Sequence, residues 1–428
     1  MCSNSHDGMI CLEVPYFSLN EILLRATGLW PFQQQKLARI QFSLFFSILT
    51  TAVIFQITTF ATSKCTSKFV VKVLSSALSC TMVVIHYSSF YINIETVRNL
   101  LTELHHICEQ LKDENEIAII EKYGYKGKRF TTVLTALSAS FIFAVLVNQF
   151  CPGIFDVILS INKSRSHHLY LKMEYFLDQE KYLYFILLHI SLAISIAVAV
   201  LIAIGTMFIA YLQHTCGMFR IARYTIYSYR IEYAMGVDML QNICLTNEHL
   251  VYKGIVCAIN IHRQATKLSK CLISNFDTTY FFLVIMSVIS LSLNLFQVAT
   301  FQNDISEIVL PMIIIFFISM YLFFGNYMGQ HITDHNNHVF ATVYNVQWYM
   351  YPLHVQKLML FLLQRGGREF HLTCGGLFVA SFECFATVKI SEDRSVLFYC
   401  HIFHAMISRT SGELQTKVTK NRNDLKII

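Results

Sequence analysis

His331, Asp334, His335 and His338 fall at i, i+3, i+4 and i+7, a spacing that puts three imidazoles and a carboxylate on one helical face and suits a divalent metal such as zinc. The same four residues stand where a long apolar run ends, and a solvated or subunit-packed polar face accounts for them equally well. No metal is assigned, and no cofactor is expected. Glu383 interrupts another apolar stretch. A carboxylate at the centre of a membrane span costs about 2.5–3.5 kcal/mol, so Glu383 either faces water and attracts cations or bonds a neighbouring helix. His86 and His189 stand alone in apolar runs, and no cluster of His, Asp and Ser within those runs suggests catalysis. The chain is therefore not expected to be an enzyme. Its 13 Cys include no CxxC pair and fall mostly in apolar surroundings, where Cys acts as a small hydrophobe.

The elements that must position these groups are membrane helices. With 54% hydrophobic and 14% charged residues, the chain is far poorer in charge than the roughly 25% typical of soluble domains. Asp, Glu, Lys and Arg vanish over six windows, 40–63, 73–94, 130–155, 182–219, 278–303 and 308–333, each long enough for the roughly 20 helical residues that cross a bilayer. A seventh candidate, 370–382, runs only until Glu383. The organisation read from this is a segment 1–39, six spans with helical extensions over 40–333, an anchor segment 334–368, the first part of a weaker seventh span over 369–388, and an atypical tail 389–428. Residues 1–20 hold Asp7, Glu13 and Pro15 and lack the continuous apolar core of a cleavable signal.

Sidedness follows from the cations. Six Lys and Arg follow the second window and seven follow the fourth, whereas none follows the fifth. The positive-inside tendency then places the amino terminus in the cytoplasm. The sequon Asn162-Lys163-Ser164, a glycosylation acceptor, falls after the third window and hence outside. The spread of the cations between apolar windows argues against nucleic acid as a partner; membrane lipid is the expected one.

Apolar periodicity continues beyond the spans. Ile94, Val97, Leu101, Leu104, Ile107 and Leu111 share one face after the second window, with Arg98, Glu103, Glu109 and Lys112 opposite. Val355, Leu358, Met359, Leu362 and Leu363 mark an amphipathic helix after Pro352. The fold class expected is an all-α integral membrane protein, a seven-helix bundle whose long helices reach into an intracellular anchor layer. Residues 152–181 form a polar loop with His167, His168, Tyr170 and Tyr175 that suits a lid. Pro311 is the only proline well inside a span, so the paired broken helices of transporters are absent.

Tyr344, Trp348-Tyr349, Pro352, Gln356-Lys357, Leu360, Arg365, Leu372-Thr373, Gly375 and Ser381-Phe382-Glu383 stand in an order that resembles the insect odorant receptors. Gly28-Leu29-Trp30-Pro31, Glu180-Lys181-Tyr182, Cys216-Gly217 and Ile261-His262-Arg263-Gln264 are also similar to segments of that family, so the resemblance covers about residues 15–387. It implies a subunit of a ligand-gated, non-selective cation channel in the plasma membrane of olfactory neurons, at the dendrite, forming a heterotetramer with a shared co-receptor.

The resemblance also implies a pocket for small volatile ligands in the outer half of the bundle, where Phe143, Asn148, Tyr182, Tyr184, His189, Asn294 and Gln297 are the candidates. Aromatic side chains are also ordinary core material, and an amide within a span commonly bonds a neighbouring helix. Tyr344, Trp348, Tyr349, Pro352, Gln356, Lys357 and Leu360 become candidates for the anchor between subunits, and Glu383 for the vicinity of the pore. After Thr387 the family pattern ends. A G-protein-coupled chemoreceptor, which needs the opposite sidedness, is the rival reading, and a membrane transporter is the third.

Overall fold

In a computed structural model, residues 16–63, 66–158, 173–176, 178, 181–237, 244–300, 305–346, 348–366, 373–374, 378–384 and 386–387 are described. Asn162 and the tail 389–428 lie outside them. In lipid every backbone N–H and C=O must be satisfied within the segment, so charge-free runs become helices. The described chain is accordingly almost all helix: α1 Ser18–Ala26, α2 Gln35–Ile57, α3 Thr59–Thr62, α4 Ser67–Ile92, α5 Ile94–Gln110, α6 Glu114–Ile158, α7 Leu183–Val237, α8 Cys244–Thr300, α9 Ile305–Asn345 and α10 Leu353–Gly366.

Six of these regions have the length and apolarity to cross a membrane: Gln35–Thr62, Ser67–Ile92, Glu114–Phe150, Leu183–Ser228, His249–Thr300 and Ile308–Asn345. They coincide with the six charge-free windows. At 1.5 Å per residue the 57 residues of α8 reach roughly 85 Å, nearly three times the hydrocarbon thickness. The excess of α6, α7, α8 and α9 forms a helical layer at one end of the bundle, with α1, α5 and α10 packed on it; we term this the anchor end, and the end holding residues 173–178 the loop end.

The anchor layer is where most of the core lies. Leu100, Leu101 and Leu104 of α5, Phe219 and Ile221 of α7, Ala265 and Leu268 of α8, and Val339 and Val343 of α9 are all buried in one cluster. Between α4 and α5 the helix breaks at Asn93, whose side-chain amide donates to the Ser89 carbonyl at 2.9 Å and so competes with continuation of the ladder. The apolar face expected on α5 is the buried one, and Arg98 and Glu103 lie opposite it, bonding the Pro31 carbonyl and Lys267.

Helix α1 ends in a Schellman motif: Leu29 N–H donates to Leu24 O at 2.8 Å and Gly28 N–H to Arg25 O at 3.2 Å, with Gly28 at φ 72°. Any Cβ at residue 28 would sit 2.9 Å from Gln41 Cβ. This turn delivers Leu29 and Trp30 into the core and frees the Thr27 carbonyl to accept from the buried Tyr87 hydroxyl at 2.8 Å.

The stretch 369–388, expected to begin a seventh span, differs in its described residues. A short hairpin pairs β1 Thr373–Cys374 antiparallel to β2 Phe378–Val379, and helical residues 382–384 follow. Gly366-Gly367 precede the segment and Gly375-Gly376 interrupt it, and each glycine costs a helix interior about 1 kcal/mol relative to alanine. The segment lies along α9: Ser381 N–H donates to Asn326 Oδ1 at 3.1 Å, and Phe382 rests against Phe323 and Tyr327.

Candidate functional site

At the loop end, residues 173–175 are latched onto α2 and α7. Glu174 N–H donates to Phe55 O at 2.9 Å, and Thr58 Oγ1 donates to the Glu174 carbonyl at 3.2 Å. Tyr175 Oη lies 2.8 Å from His189 Nδ1, while the other imidazole nitrogen lies 3.1 Å from Thr51 Oγ1. Phe55 packs against both rings. Burial pushes the Tyr175 phenol up to about 12, so it stays protonated and available for hydrogen bonding. Beneath it Met173, Ile186 and Ile190 form a small buried cluster. Of the loop read over 152–181, residues 152–158 instead continue α6, and 173–176, 178 and 181 are the further residues described.

Deeper in the bundle, α4, α8 and α9 enclose polar groups among apolar ones. Gln297 Nε2 donates to Ser75 Oγ at 2.6 Å, Ser79 and Ser290 hydroxyls lie 2.9 Å apart, and Asn294 Nδ2 donates to the Ser290 carbonyl at 2.7 Å. Asn294 Oδ1 has no hydrogen-bond partner among the described residues. His86, 3% exposed, has none on either ring nitrogen and stands between the rings of Tyr280 and Tyr321 at 6.1 and 6.0 Å. An imidazole and an amide oxygen with unused capacity in apolar surroundings are suited to orienting a small ligand that carries one polar group.

The structure does not bring the seven ligand candidates together. Phe143, Asn148 and Tyr184 are exposed on the outer surface of the bundle, and Tyr182 is marginally so. His189 is half-buried under the Tyr175 latch, and Asn294 and Gln297 are buried between α4 and α8. On α6 the inward amide is Gln149, one residue along, which accepts from Ser191 Oγ at 2.6 Å. Sequence reasoning also passed over Ser75, Ser79, Ser290 and Tyr280. Serines inside charge-free windows were the available signal, since a hydroxyl in lipid turns inward or bonds its own helix.

At the anchor end, the apolar face read from the sequence of α10 is the one that packs: Val355, Met359 and Leu362 are buried, with Leu358 and Leu363 partly so. Among the anchor candidates Trp348, Pro352 and Gln356 are half-buried, and Gln356 Nε2 donates to the Tyr349 and Tyr351 carbonyls at 3.0 and 2.6 Å. Tyr344, Tyr349, Lys357 and Leu360 are exposed, as are Leu353 and Phe361 beside them. Glu383 is exposed. A cavity of about 10 Å³ lined by Phe90, Leu100, Met207 and Tyr211 also lies in this layer; it holds at most one water and no odorant-sized molecule.

The helical face of His331, Asp334, His335 and His338 divides. His331 and His335 are half-buried towards α7, where Cys216 meets them, while Asp334 and His338 are exposed.

Six long apolar helices with amides, hydroxyls and an imidazole enclosed between them define a multi-pass membrane protein. The profile of the family described as 7tm Odorant receptor matches residues 66–391, and the chain belongs to that family. It is thus a receptor and ligand-gated cation-channel subunit rather than an enzyme. The fold is similar to that of olfactory receptor OR5 of Machilis hrabei in complex with eugenol, with a TM-score of 0.72 and 13% identity over 92% of this chain and 100% of that one. A second structure of the same receptor gives 0.71 and 12% over 91% and 98%. No curated protein matches the sequence.

Proposed function

We propose that this chain is the odour-sensing subunit of a heterotetramer with the family's co-receptor, with its amino terminus and anchor end in the cytoplasm and its loop end facing the odour-bearing fluid. The orientation rests on the cations that crowd the anchor end, with Asn162 on the opposite side as a glycosylation acceptor. The dendrite of an olfactory neuron is the corresponding site of action. Small volatile molecules bind within the bundle below the Tyr175 latch. His189, Asn294 and Gln297 remain candidates on the inner side, and Phe143, Asn148, Tyr182 and Tyr184 on the outer, lipid-accessible side. The eugenol complex of the Machilis hrabei receptor supports a ligand of this size.

The observation that carries the assembly is the two-faced anchor. Val355, Met359 and Leu362 are spent on the chain's own core, yet Tyr344, Tyr349, Leu353, Leu360 and Phe361 leave a second large apolar face exposed. Apolar patches of that kind mark association surfaces. Tyr344, Trp348, Tyr349, Pro352, Gln356, Lys357 and Leu360 form this anchor, and Glu383, at the end of the segment that follows, lies towards the pore. Ligand binding favours a minor open state by the ligand's differential affinity for the two states.

Co-expression with the co-receptor tests the proposal. Agonist-evoked cation current should require both chains, and an amino-terminal epitope should stain only permeabilised cells. Staining of intact cells, as a G-protein-coupled receptor would show, overturns the orientation and with it the assignment of ends.

A further inference from the structure

Cys216 of α7 and His331 and His335 of α9 each present a donor atom within 4.8 Å of the other two. The Cys216 Sγ to His331 Nδ1 separation is 3.2 Å. A tetrahedral zinc site, with Zn–S of about 2.3 Å and Zn–N of about 2.0–2.1 Å, requires donor atoms roughly 3.3–3.6 Å apart, so small side-chain rotations suffice. The two histidines are separated by one helical turn, which lets both rings serve one ion.

The surrounding hydrogen bonds already have the form that metal sites use to orient their ligands. His335 Nδ1 lies 2.8 Å from the His331 carbonyl. A carbonyl only accepts, so Nδ1 carries the proton and the lone pair is on Nε2. That lone pair accepts from the Tyr123 hydroxyl of α6 at 2.7 Å. The Cys216 thiol lies within hydrogen-bond reach of His331 Nδ1. Cys216 is fully buried, whereas both imidazoles are half-exposed, which leaves a way in beside the exposed carboxylate of Asp334.

We propose that Cys216, His331 and His335 form a binding site for a borderline-soft divalent transition metal of the zinc class, tying α7 to α9 at the head of the anchor layer. One thiol and two imidazoles select Zn²⁺ or Co²⁺ over Ca²⁺ and Mg²⁺, which require oxygen ligands. On binding, the Cys216 thiol gives its proton to solvent and the dication takes the sulfur as thiolate. Tyr123 keeps its proton and yields the Nε2 lone pair of His335 to the metal. A water, or the Tyr123 oxygen, completes the coordination. The site then carries a net single positive charge, which Asp334 offsets and the Lys126 ammonium, 4.6 Å from the Tyr123 ring centroid, opposes. This inference does not depend on the ligand, the co-receptor or the sidedness proposed above.

The test is a Co²⁺ titration of the full-length chain in phosphatidylcholine nanodiscs, reading the thiolate-to-Co²⁺ charge-transfer absorption. The expected result is a band that saturates at one equivalent and is displaced by Zn²⁺ but not by Mg²⁺. Cys216→Ala should abolish it, and His335→Gln should weaken binding at least tenfold. No band in the wild-type chain, or an undiminished band in Cys216→Ala, overturns the proposal, because other cysteines would then be the ligands. Should the variants fail to fold, X-ray absorption on the zinc-loaded wild-type chain decides. A shell of one sulfur with imidazole nitrogens supports the site, and a shell without sulfur or with several sulfurs overturns it.

Discussion

Two glycines one turn apart on α9 make a controlled experiment. Gly329 is buried, and a Cβ built there would lie 2.5 Å from the Ala380 carbonyl oxygen, 3.0 Å from its carbon and closer still to its Cβ. At Gly325 an added Cβ meets nothing within 4 Å. Gly325→Ala should therefore show only the helical preference for alanine, a gain of about 1 kcal/mol. Gly329→Ala has the same gain but must push the segment 378–384 away from α9 by on the order of 1 Å, since its obstacle is backbone and cannot rotate aside. Overpacking of that sort costs about 1–3 kcal/mol. The bond from Ser381 N–H to Asn326 Oδ1, 3.1 Å long, would be strained as well, at about 0.5–1.5 kcal/mol. The net expectation is a loss of about 0.5–3.5 kcal/mol at Gly329 against a gain of about 1 kcal/mol at Gly325.

Thermal unfolding of the two purified variants, followed by fluorescence-detected size exclusion, reads this difference directly. Alkylation of Cys384, measured by mass spectrometry, reports the local effect, because its backbone N–H bonds the Ser381 hydroxyl at 3.1 Å and the turn opens when Ser381 moves. Faster alkylation in Gly329→Ala alone is expected. If the two alanine variants melted and alkylated alike, the close approach of α9 to residues 378–384 would not exist in the protein.

Other outcomes follow from single contacts. Tyr175→Phe removes the 2.8 Å contact to His189 and should cost about 1 kcal/mol, seen as faster proteolytic cleavage within 173–178 with an unchanged global melt. Met359→Ala, in the buried face of α10, should lower stability of the isolated chain by about 2–5 kcal/mol. Leu360→Glu, on the exposed face, should leave that stability within about 0.5 kcal/mol and instead reduce co-purification with the co-receptor; loss of monomer stability by Leu360→Glu would place that face inside the chain's own core. Asn20→Ala breaks the buried bond to Thr206 Oγ1 at 3.1 Å and should destabilise by about 1–3 kcal/mol, measured by the same melt.

Much of this architecture is local and hence readable from composition and spacing. A helix satisfies its backbone four residues away, so a charge-free run in lipid has one outcome wherever it lies in the chain. The six windows became six helices for this reason. On α5 and α10, each of which leaves one side exposed, periodicity also told which face packs, and Val97, Leu101, Val355 and Met359 are buried as read. The seventh segment was less legible because glycine pairs and Glu383 interrupt it, and its course depends on α8, against which β1 packs, and on α9, which Ser381 and Phe382 meet.

What the sequence by itself determined, then, is the number of apolar spans, the extension of the helices into a second layer, and the inner face of the amphipathic helices α5 and α10. Which side of a membrane helix turns inward was decided only by tertiary structure. Lipid and core are equally apolar, so a span that is greasy all round has no moment to read. Asn148 and Gln149 look equivalent in sequence, yet only Gln149 finds Ser191. Gln297 meets Ser75 across 222 residues, and Cys216 meets His331 across 115. No spacing rule spans such distances; the packing of α4 on α8 and of α7 on α9 brings those pairs within bonding reach.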